Sequence, residues 1–324
     1  MSVTPAPTGT LGSELKRDPR AFPLDENKLT QLLGSSHVAF LREQTGINDE
    51  EQLRAHILTV TKMAYEVFPY QCIRLFAFAA FRVPSIPNYD HLLRLGKERE
   101  GAILLDIGCC FGTDSRKIAA DGWPAQNIVA SDIHPEFWAL GHTLFGSTTG
   151  SFPATFVPGD ALSPIHLTQH PILPTSFSAL PSDLTPLDLS ALSSLNPLAG
   201  RVSAIHAGAL FHLFSAADQA RLARALAGLL APHPGATIAG SHSAAPDRAD
   251  GEPPRAEEVV MLGADGSAIA QFRHSPASWA ALWDGAVFEK GTVRVETELQ
   301  AVAVASGDGE EVQFWMLWWA VTRV

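Results

Sequence analysis

The chain has 324 residues, 46% of them hydrophobic, and a net charge of −11. This length and apolar content predict a packed globular fold and exclude a disordered chain. The acidic balance argues against a nucleic-acid partner, because a duplex binder needs a basic face. Since no run of about 18 apolar residues occurs, we expect no membrane span. Three cysteines without zinc spacing and an N-terminus without an apolar leader favour a reducing, cytoplasmic location.

The first part of the chain is predicted to be a helical cap behind a flexible start. Residues 1–27 are rich in Pro, Thr and Ser, and we expect them to be flexible. Residues 28–98 are predicted to be helical. They comprise two helical stretches, of which the second covers 48–69 and is ended by Pro69, and two shorter segments at 70–81 and 89–95.

From residue 99 onwards, strands are predicted to alternate with helices. The predicted strands cover 102–108, 127–132, 154–160, 201–207 and 236–241. The predicted helices cover 113–122, 134–145, 215–232 and 275–285. Two β-rich runs, 292–304 and 311–323, are typical of a terminal antiparallel hairpin. Alternation predicts a parallel sheet with helices on both faces. The alternation and the terminal hairpin together indicate an α/β fold over residues 99–324, with the Rossmann-like sheet that is typical of class I methyltransferases.

One connection interrupts this alternation. Residues 163–200 contain six prolines and only two charged residues, Asp183 and Asp188. So long a connection within a compact domain is typical of a functional or a disordered segment. We interpret it as an insertion that, together with the N-terminal helices, covers a hydrophobic acceptor.

The segment DIGCCFG, residues 106–112, follows the first predicted strand. Ligands of open α/β sheets bind at this edge, and Gly108 allows the backbone to approach a ligand closely. Cys110 stands where a dinucleotide-binding motif has glycine, which disfavours a dehydrogenase. Asp106 suits a cationic ligand such as S-adenosylmethionine. We interpret Cys109 and Cys110 as the wall of the turn rather than as reactive thiols.

Two more acidic residues end the next two strands. Asp132, followed by Ile133, can accept hydrogen bonds from both hydroxyls of a ribose. Asp160, followed by Ala161, can accept one from an adenine amino group. Acids at the ends of three successive strands therefore predict a site for S-adenosylmethionine.

The fourth strand leads into HAGALFHLF, residues 206–214, whose start is expected to face the transferred methyl group. Ala207 is a predicted cofactor contact. His212 is the candidate catalytic or acceptor-binding residue, although a lone histidine is as often structural. His206, His242 and His274 are weaker candidates.

The chain also resembles a known family in five segments, which read YQCIRLFAF, LLDIGCCFG, ASDIHPEFWALGHTLF, ALFHLF and HSPASWAALW. They are similar to those of fungal S-adenosylmethionine-dependent methyltransferases of meroterpenoid and related secondary-metabolite clusters. The resemblance runs from about Tyr65 to the C-terminus. It implies methylation of a terpenoid carboxyl group, and it assigns no base. The implied cofactor contacts are Asp106, Gly108, Asp132, Ile133, Asp160 and Ala161. The chain departs from the family in two places. It has Thr113 where the family often has Gln, and its insertion at 163–200 is longer than expected.

These observations lead to an expected function with alternatives. We expect O-methylation of a small hydrophobic acceptor, a terpenoid or meroterpenoid carboxylate, which is ionised at neutral pH and needs no base. The alternatives are a hydroxyl O-methyltransferase, for which His212 is the candidate base, and a methyltransferase-like cyclase or non-catalytic partner. The sequence leaves open whether two copies of the chain form a homodimer.

Overall fold

A computed structural model describes most of the chain. The described residues are 23–175, 187–247, 257–262, 268–305 and 311–324. The predictions for residues 1–22, for the middle of the insertion and for the tip of the terminal hairpin therefore lie outside the described residues. Within the described ranges, no helix has both the length and the apolar character needed to cross a membrane.

Seven strands form one mixed sheet in the order β3-β2-β1-β4-β5-β9-β8. They are β1 Ile103–Ile107, β2 Ile128–Ser131, β3 Thr155–Phe156, β4 Val202–Gly208, β5 Thr237–Ala244, β8 Val293–Ala305 and β9 Glu311–Arg323. The first five run parallel, whereas β9 pairs antiparallel with both β5 and β8. The predicted class I methyltransferase sheet and its terminal hairpin are confirmed.

A second, two-stranded sheet was not predicted. It pairs β6, Glu257–Leu262, with β7, Ala268–Arg273, in antiparallel register. The sequence around these strands mixes Ala, Glu, Asp and Pro, so its period-2 pattern is weak. The backbone amide of Phe272, at the end of β7, donates to the carbonyl of Phe214, which connects this small sheet to the segment after β4.

The helices surround the sheet. They are α1 Glu26–Leu33, α2 His37–Thr45, α3 Glu50–Val67, α4 Gln71–Arg74, α5 Tyr89–Glu98, α6 Thr113–Ala120, α7 Pro135–Leu144, α8 Ala216–Leu229 and α9 Pro276–Trp283. The prediction of one helix over 70–81 is wrong. The chain there forms α4 and a 3-10 turn at Ala77–Ala79, because Phe76 adopts a left-handed φ of 57° between them. The Phe76 ring is buried in the core of the cap, which stabilises this unusual conformation.

Three hydrophobic clusters hold these elements together. Alternate residues of β1 point to opposite faces of the sheet, as the period of a strand requires. Leu105 packs in a cluster with α8 and α9, which includes Trp279, and Leu104 packs in a cluster with α5 and α6. The third cluster joins the N-terminal helices to Phe111 and Phe137. The N-terminal cap therefore packs directly on the turn after β1 and on α7.

The described part of the insertion is a crossover between β3 and β4. Leu167, Leu195 and Leu198 are buried in the cluster with α8. The carbonyl of Leu173 accepts a hydrogen bond of 2.8 Å from Arg323 Nη1, and the backbone of Arg323 pairs with the residues just before β5. The segment thus runs toward the amino ends of the parallel strands. The start of the segment stays at the carboxyl edge, where His166 Nε2 lies 2.9 Å from the Ser131 hydroxyl, and its role as a cover over the acceptor stays a prediction.

This position of the insertion predicts a structural role. Truncation of Leu195, which is fully buried, to alanine should lower the free energy of unfolding by about 2–5 kcal/mol because it leaves a cavity. Ile165 in the same segment is 86% exposed, and Ile165→Ala should change it by less than about 0.5 kcal/mol. Chemical denaturation measures both. Equal effects of the two substitutions would contradict the crossover.

Candidate functional site

The turn between β1 and α6 has an unusual backbone. Gly108, Cys110 and Gly112 all have positive φ, at 70°, 51° and 67°. Left-handed backbone costs little for glycine but about 1 kcal/mol or more for cysteine. The amides of Gly108 and Cys109 donate to the carbonyl of Ser131, at 2.8 and 3.1 Å. The turn is therefore held against the end of β2.

Asp132 completes this connection. Its Oδ2 accepts a hydrogen bond of 2.8 Å from the Cys110 amide, and its Oδ1 accepts one of 2.9 Å from the His134 amide. Burial raises the pKa of Asp132, although both amide bonds act to lower it. Each carboxylate oxygen keeps a lone pair for another donor. Beside it, the Ile133 side chain is 54% exposed. A hydrogen-bond acceptor and an uncovered apolar surface thus lie next to each other.

The end of β3 lies beside the same carboxylate. The Gly159 amide donates to the Asp132 carbonyl at 3.0 Å, so the next residue, Asp160, is close to the end of β2. Asp160 is exposed, and its Oδ1 accepts a hydrogen bond of 2.8 Å from the Leu162 amide. Ala161 is half-buried against the core. The structure therefore brings Asp132, Ile133, Asp160 and Ala161 to one edge of the sheet, as the sequence predicts.

Asp106 lies deeper than these residues. It is buried, and its oxygens pair with His206 Nδ1, at 2.9 Å, and with the Ser115 hydroxyl. A direct contact between Asp106 and a ligand stays a prediction. The Asp106 carboxylate acts on its surroundings mainly through His206.

His206 is the polar residue that sequence reasoning underrated. β1 and β4 pair in a register that places Asp106 directly opposite His206. Burial acts to lower the pKa of His206, but the charge of Asp106 and its hydrogen bond outweigh burial and raise that pKa. The other ring nitrogen, Nε2, is buried and has no hydrogen-bond partner among the described residues. Two polar residues at matching ends of two adjacent parallel strands are the signal that could have indicated this pair.

Burial lowers the pKa of the other three candidate histidines. Burial, with smaller effects from the charges of Arg82 and Arg273, lowers the pKa of His212 to about 3. Burial lowers the pKa of His274 to about 4, and that of His242 well below its usual value. His242 and His274 pack against the ring of Trp279, at centroid distances of 4.4 and 5.2 Å. They therefore form part of the hydrophobic core, whereas His212 lies in the turn after β4.

Two further predicted cofactor contacts have buried side chains. Ala207 is fully buried in the cluster with α8, and Cys109 is 8% exposed. They have only backbone atoms to offer a ligand. Burial raises the pKa of the Cys109 thiol well above its ordinary value. A protonated, buried thiol is a poor nucleophile, which agrees with the interpretation of the cysteines as a wall.

The N-terminal cap is attached to the first turn of α6. Thr113 Oγ1 donates to the carbonyl of Phe78 at 2.6 Å. Asp114 Oδ1 accepts from the amides of Arg82 and Val83, at 2.6 and 2.9 Å. Thr113 and Asp114 were not predicted as contacts of the cap, because a helix start shows only that its polar groups need partners and not which segment supplies them.

Comparisons with known proteins find similar methyltransferases. The family model described as "Meroterpenoid methyltransferase N-terminal domain" matches residues 25–79. The curated relatives include O-methyltransferase phiE from Fungal sp. (strain ATCC 74256), 29% identical over 73% of this chain and 66% of that protein. Methyltransferase adrK from Penicillium roqueforti is 29% identical over 74% of this chain and 72% of that protein. The chain is thus similar to fungal methyltransferases over about three quarters of its length. The resemblance seen in the sequence is thereby confirmed.

The matched length is limited. The chain spans just under two thirds of the phiE protein. Solved structures that the chain resembles include the DhpI-SAM-HEP complex, which is 15% identical in sequence. That match covers 83% of this chain and 99% of the other, with a TM-score of 0.37. A SAM-dependent methyltransferase from Methanosarcina mazei is 14% identical in sequence. That match covers 68% of this chain and 92% of the other, with a TM-score of 0.41. Because these structural similarities are distant, the description of the fold rests on the sheet order given above and not on them.

The pairing of Asp106 with His206 predicts a pH dependence of stability. Because the folded-state pKa of His206 is raised, charged His206 stabilises the fold fully below the unfolded pKa of about 6.5. This contribution is lost as the pH rises through the folded-state pKa. The difference in unfolding free energy between the wild type and His206→Gln should therefore be largest near pH 5.5 and shrink by pH 9. A difference that grows with pH would contradict the assignment.

Proposed function

We propose that the chain binds S-adenosylmethionine at the edge formed by the turn after β1 and the ends of β2 and β3. The observation that carries this proposal is the Asp132 carboxylate, which is held by two backbone amides beside the uncovered Ile133 side chain. Its remaining lone pairs suit the two hydroxyls of a ribose, and Ile133 suits the face of an adenine ring. Asp160, which is exposed near the end of β2, is the proposed acceptor for the adenine amino group.

The chemistry of the neighbouring groups fits the rest of this cofactor. The Asp114 carboxylate, whose Oδ2 would lie 3.7 Å from a Cβ on Gly208, favours a ligand part that carries positive charge. S-adenosylmethionine supplies an activated methyl group on a positively charged sulfur. The contribution of the chain is to orient the donor against the acceptor and to exclude water. The N-terminal cap, which packs on the turn through Phe78 and Phe111 at a centroid distance of 4.2 Å, serves to exclude water.

We further propose that the acceptor is a hydrophobic carboxylic acid, with a methyl ester as the product. Burial holds the pKa of His212 at about 3, and this neutral, weakly basic imidazole is a poor general base near neutral pH. A carboxylate acceptor needs no proton removed. His212 then contacts the acceptor through Nδ1, which has no partner among the described residues. The expected cytoplasmic location accords with the three free thiols.

The donor site is tested by Asp132→Asn. This substitution keeps one acceptor oxygen but removes the charge, so the affinity for S-adenosylhomocysteine should fall about 10- to 100-fold, which corresponds to about 1.5–3 kcal/mol. Titration calorimetry measures the affinity. Asp188→Asn, an exposed acid in the insertion, removes the same charge and should have no effect. Unchanged affinity in a folded Asp132→Asn protein would refute the site.

The acceptor class is tested by the pH dependence of single-turnover rates with a bound carboxylic acid. Since a carboxylate with a pKa near 4 is ionised throughout, the rate should stay nearly constant from about pH 6 to 9. His212→Gln should raise the KM for the acceptor more than it lowers the rate of methyl transfer. A rate that rises steeply with pH, together with an inactive His212→Gln protein, would instead indicate a hydroxyl acceptor and a base.

A further inference from the structure

Arg116, in the first turn of α6, is a buried cation. The residue is 2% exposed and forms no ion pair within the described part of the chain. Its Cζ lies 4.7 Å from the ring centroid of Phe145 and 4.4 Å from that of Phe152. Burial lowers the pKa of the guanidinium to about 10, so it stays charged at neutral pH. A buried charge is costly unless hydrogen bonds and aromatic faces stabilise it, so the fold has to supply such partners.

The hydrogen bonds of this guanidinium hold the turn after β1. Nη1 donates to the carbonyl of Phe111 at 2.9 Å and to the carbonyl of Gly112 at 3.3 Å. Nη2 donates to the hydroxyl of Ser147, just beyond the end of α7, at 3.1 Å. A Cβ placed on Gly141 of α7 would lie 2.2 Å from the Phe111 oxygen, so α7 packs directly on the same carbonyl. Because a guanidinium is planar and rigid, these bonds fix the turn relative to the end of α7.

The turn is thus held at two adjacent places. Asp132 accepts from the amide of Cys110, and Arg116 donates to the carbonyls of the next two residues. Cys110 and Gly112 are left-handed, at φ of 51° and 67°, and a non-glycine residue keeps such a backbone only where its surroundings fix it. The first contact involves the proposed nucleoside site itself, whereas the second lies outside it. Arg116 can therefore fix the turn whether or not a ligand is bound.

We propose that Arg116 is a positioning residue for the methyl-donor site. It holds the turn in its left-handed conformation before the ligand arrives, so binding does not have to order the turn. Its hydrogen bonds are to protein groups, and it acts on the ligand only through the turn. The inference rests on the proposed function, because it gives Arg116 a role in the site proposed for S-adenosylmethionine.

The first test measures the affinity for S-adenosylhomocysteine by titration calorimetry. R116M removes the donors but leaves a flexible apolar side chain that suits the aromatic rings around it. We expect the affinity to fall about 10-fold and the binding entropy to become more unfavourable, because the ligand then has to order the turn. R116K keeps the charge without the planar fork, so its affinity should lie between those of R116M and the wild type.

R323M is the matched control, because it removes a second buried arginine at the opposite end of the parallel strands. Arg323 is 3% exposed, and its Nη1 donates to the Leu173 carbonyl at 2.8 Å. Its Cζ lies 5.1 Å from the ring centroid of Phe288, so it too combines aromatic and carbonyl contacts. Thermal unfolding should show that both methionine variants are folded and less stable than the wild type. R323M should nevertheless keep the wild-type affinity for S-adenosylhomocysteine.

The second test measures hydrogen exchange of the ligand-free protein by mass spectrometry. Peptides that cover residues 108–112 contain the amides of Gly108, Cys109 and Cys110, which are hydrogen-bonded in the folded turn. Peptides that cover β5 report the stability of the sheet. In R116M, exchange in the turn should become about 10-fold faster relative to exchange in β5. In R323M, exchange in the turn should not accelerate more than exchange in β5.

Three outcomes overturn this inference alone, each with a wild type that binds S-adenosylhomocysteine. They are a folded R116M protein with wild-type affinity, an affinity loss in R116M without faster exchange in the turn, and an equal affinity loss in R323M. If R116M does not fold, R116K decides, and wild-type affinity in R116K would overturn the inference. A wild type that does not bind S-adenosylhomocysteine would overturn the proposed function, and the role of Arg116 with it.

Discussion

The hydrogen bond from the Cys110 amide to the Asp132 carboxylate determines how the site is built. It joins the turn after β1 to the end of β2, and the two amides that donate to the Ser131 carbonyl reinforce the connection. The turn needs three left-handed residues to present its amides in this way, and one of them is a cysteine. The strain of that residue is offset because its amide reaches a partly buried carboxylate, where a charge-assisted hydrogen bond is strong.

Other parts of the molecule are arranged around this unit. The cap packs on it through Phe111 and through the partners of Thr113 and Asp114. The end of β3 is fixed to the backbone of Asp132. One strand further, Asp106 and His206 form a buried pair whose outer nitrogen borders a separate polar space. The edge of the sheet therefore has two regions, the proposed nucleoside site at Asp132 and the polar space beside His206.

The sequence predicts the sheet well, because buried parallel strands and the acids that end them leave clear local patterns. The alternation around Asp106, Asp132 and Asp160 was enough to place these residues at, or just beyond, the ends of three successive strands. The short strand β3, only Thr155–Phe156, and the break at Phe76 were not predictable in detail, because tertiary packing rather than local propensity sets them. The sequence did not predict that leucines of the insertion pack in the core against α8, since leucines suit a cover over a ligand and a buried crossover equally well. Arg82 and His206 depend on contacts between distant segments, which a single sequence does not reveal.

The central claim is that Asp132 and its neighbours bind the nucleoside of S-adenosylmethionine. A crystal structure of the protein with S-adenosylhomocysteine tests it most directly. The account predicts both ribose hydroxyls within about 2.5–3.0 Å of the Asp132 carboxylate oxygens, with the adenine against Ile133. A nucleoside bound elsewhere, or an Asp132 carboxylate that contacts only the amides of Cys110 and His134 while the ligand is bound, would contradict it.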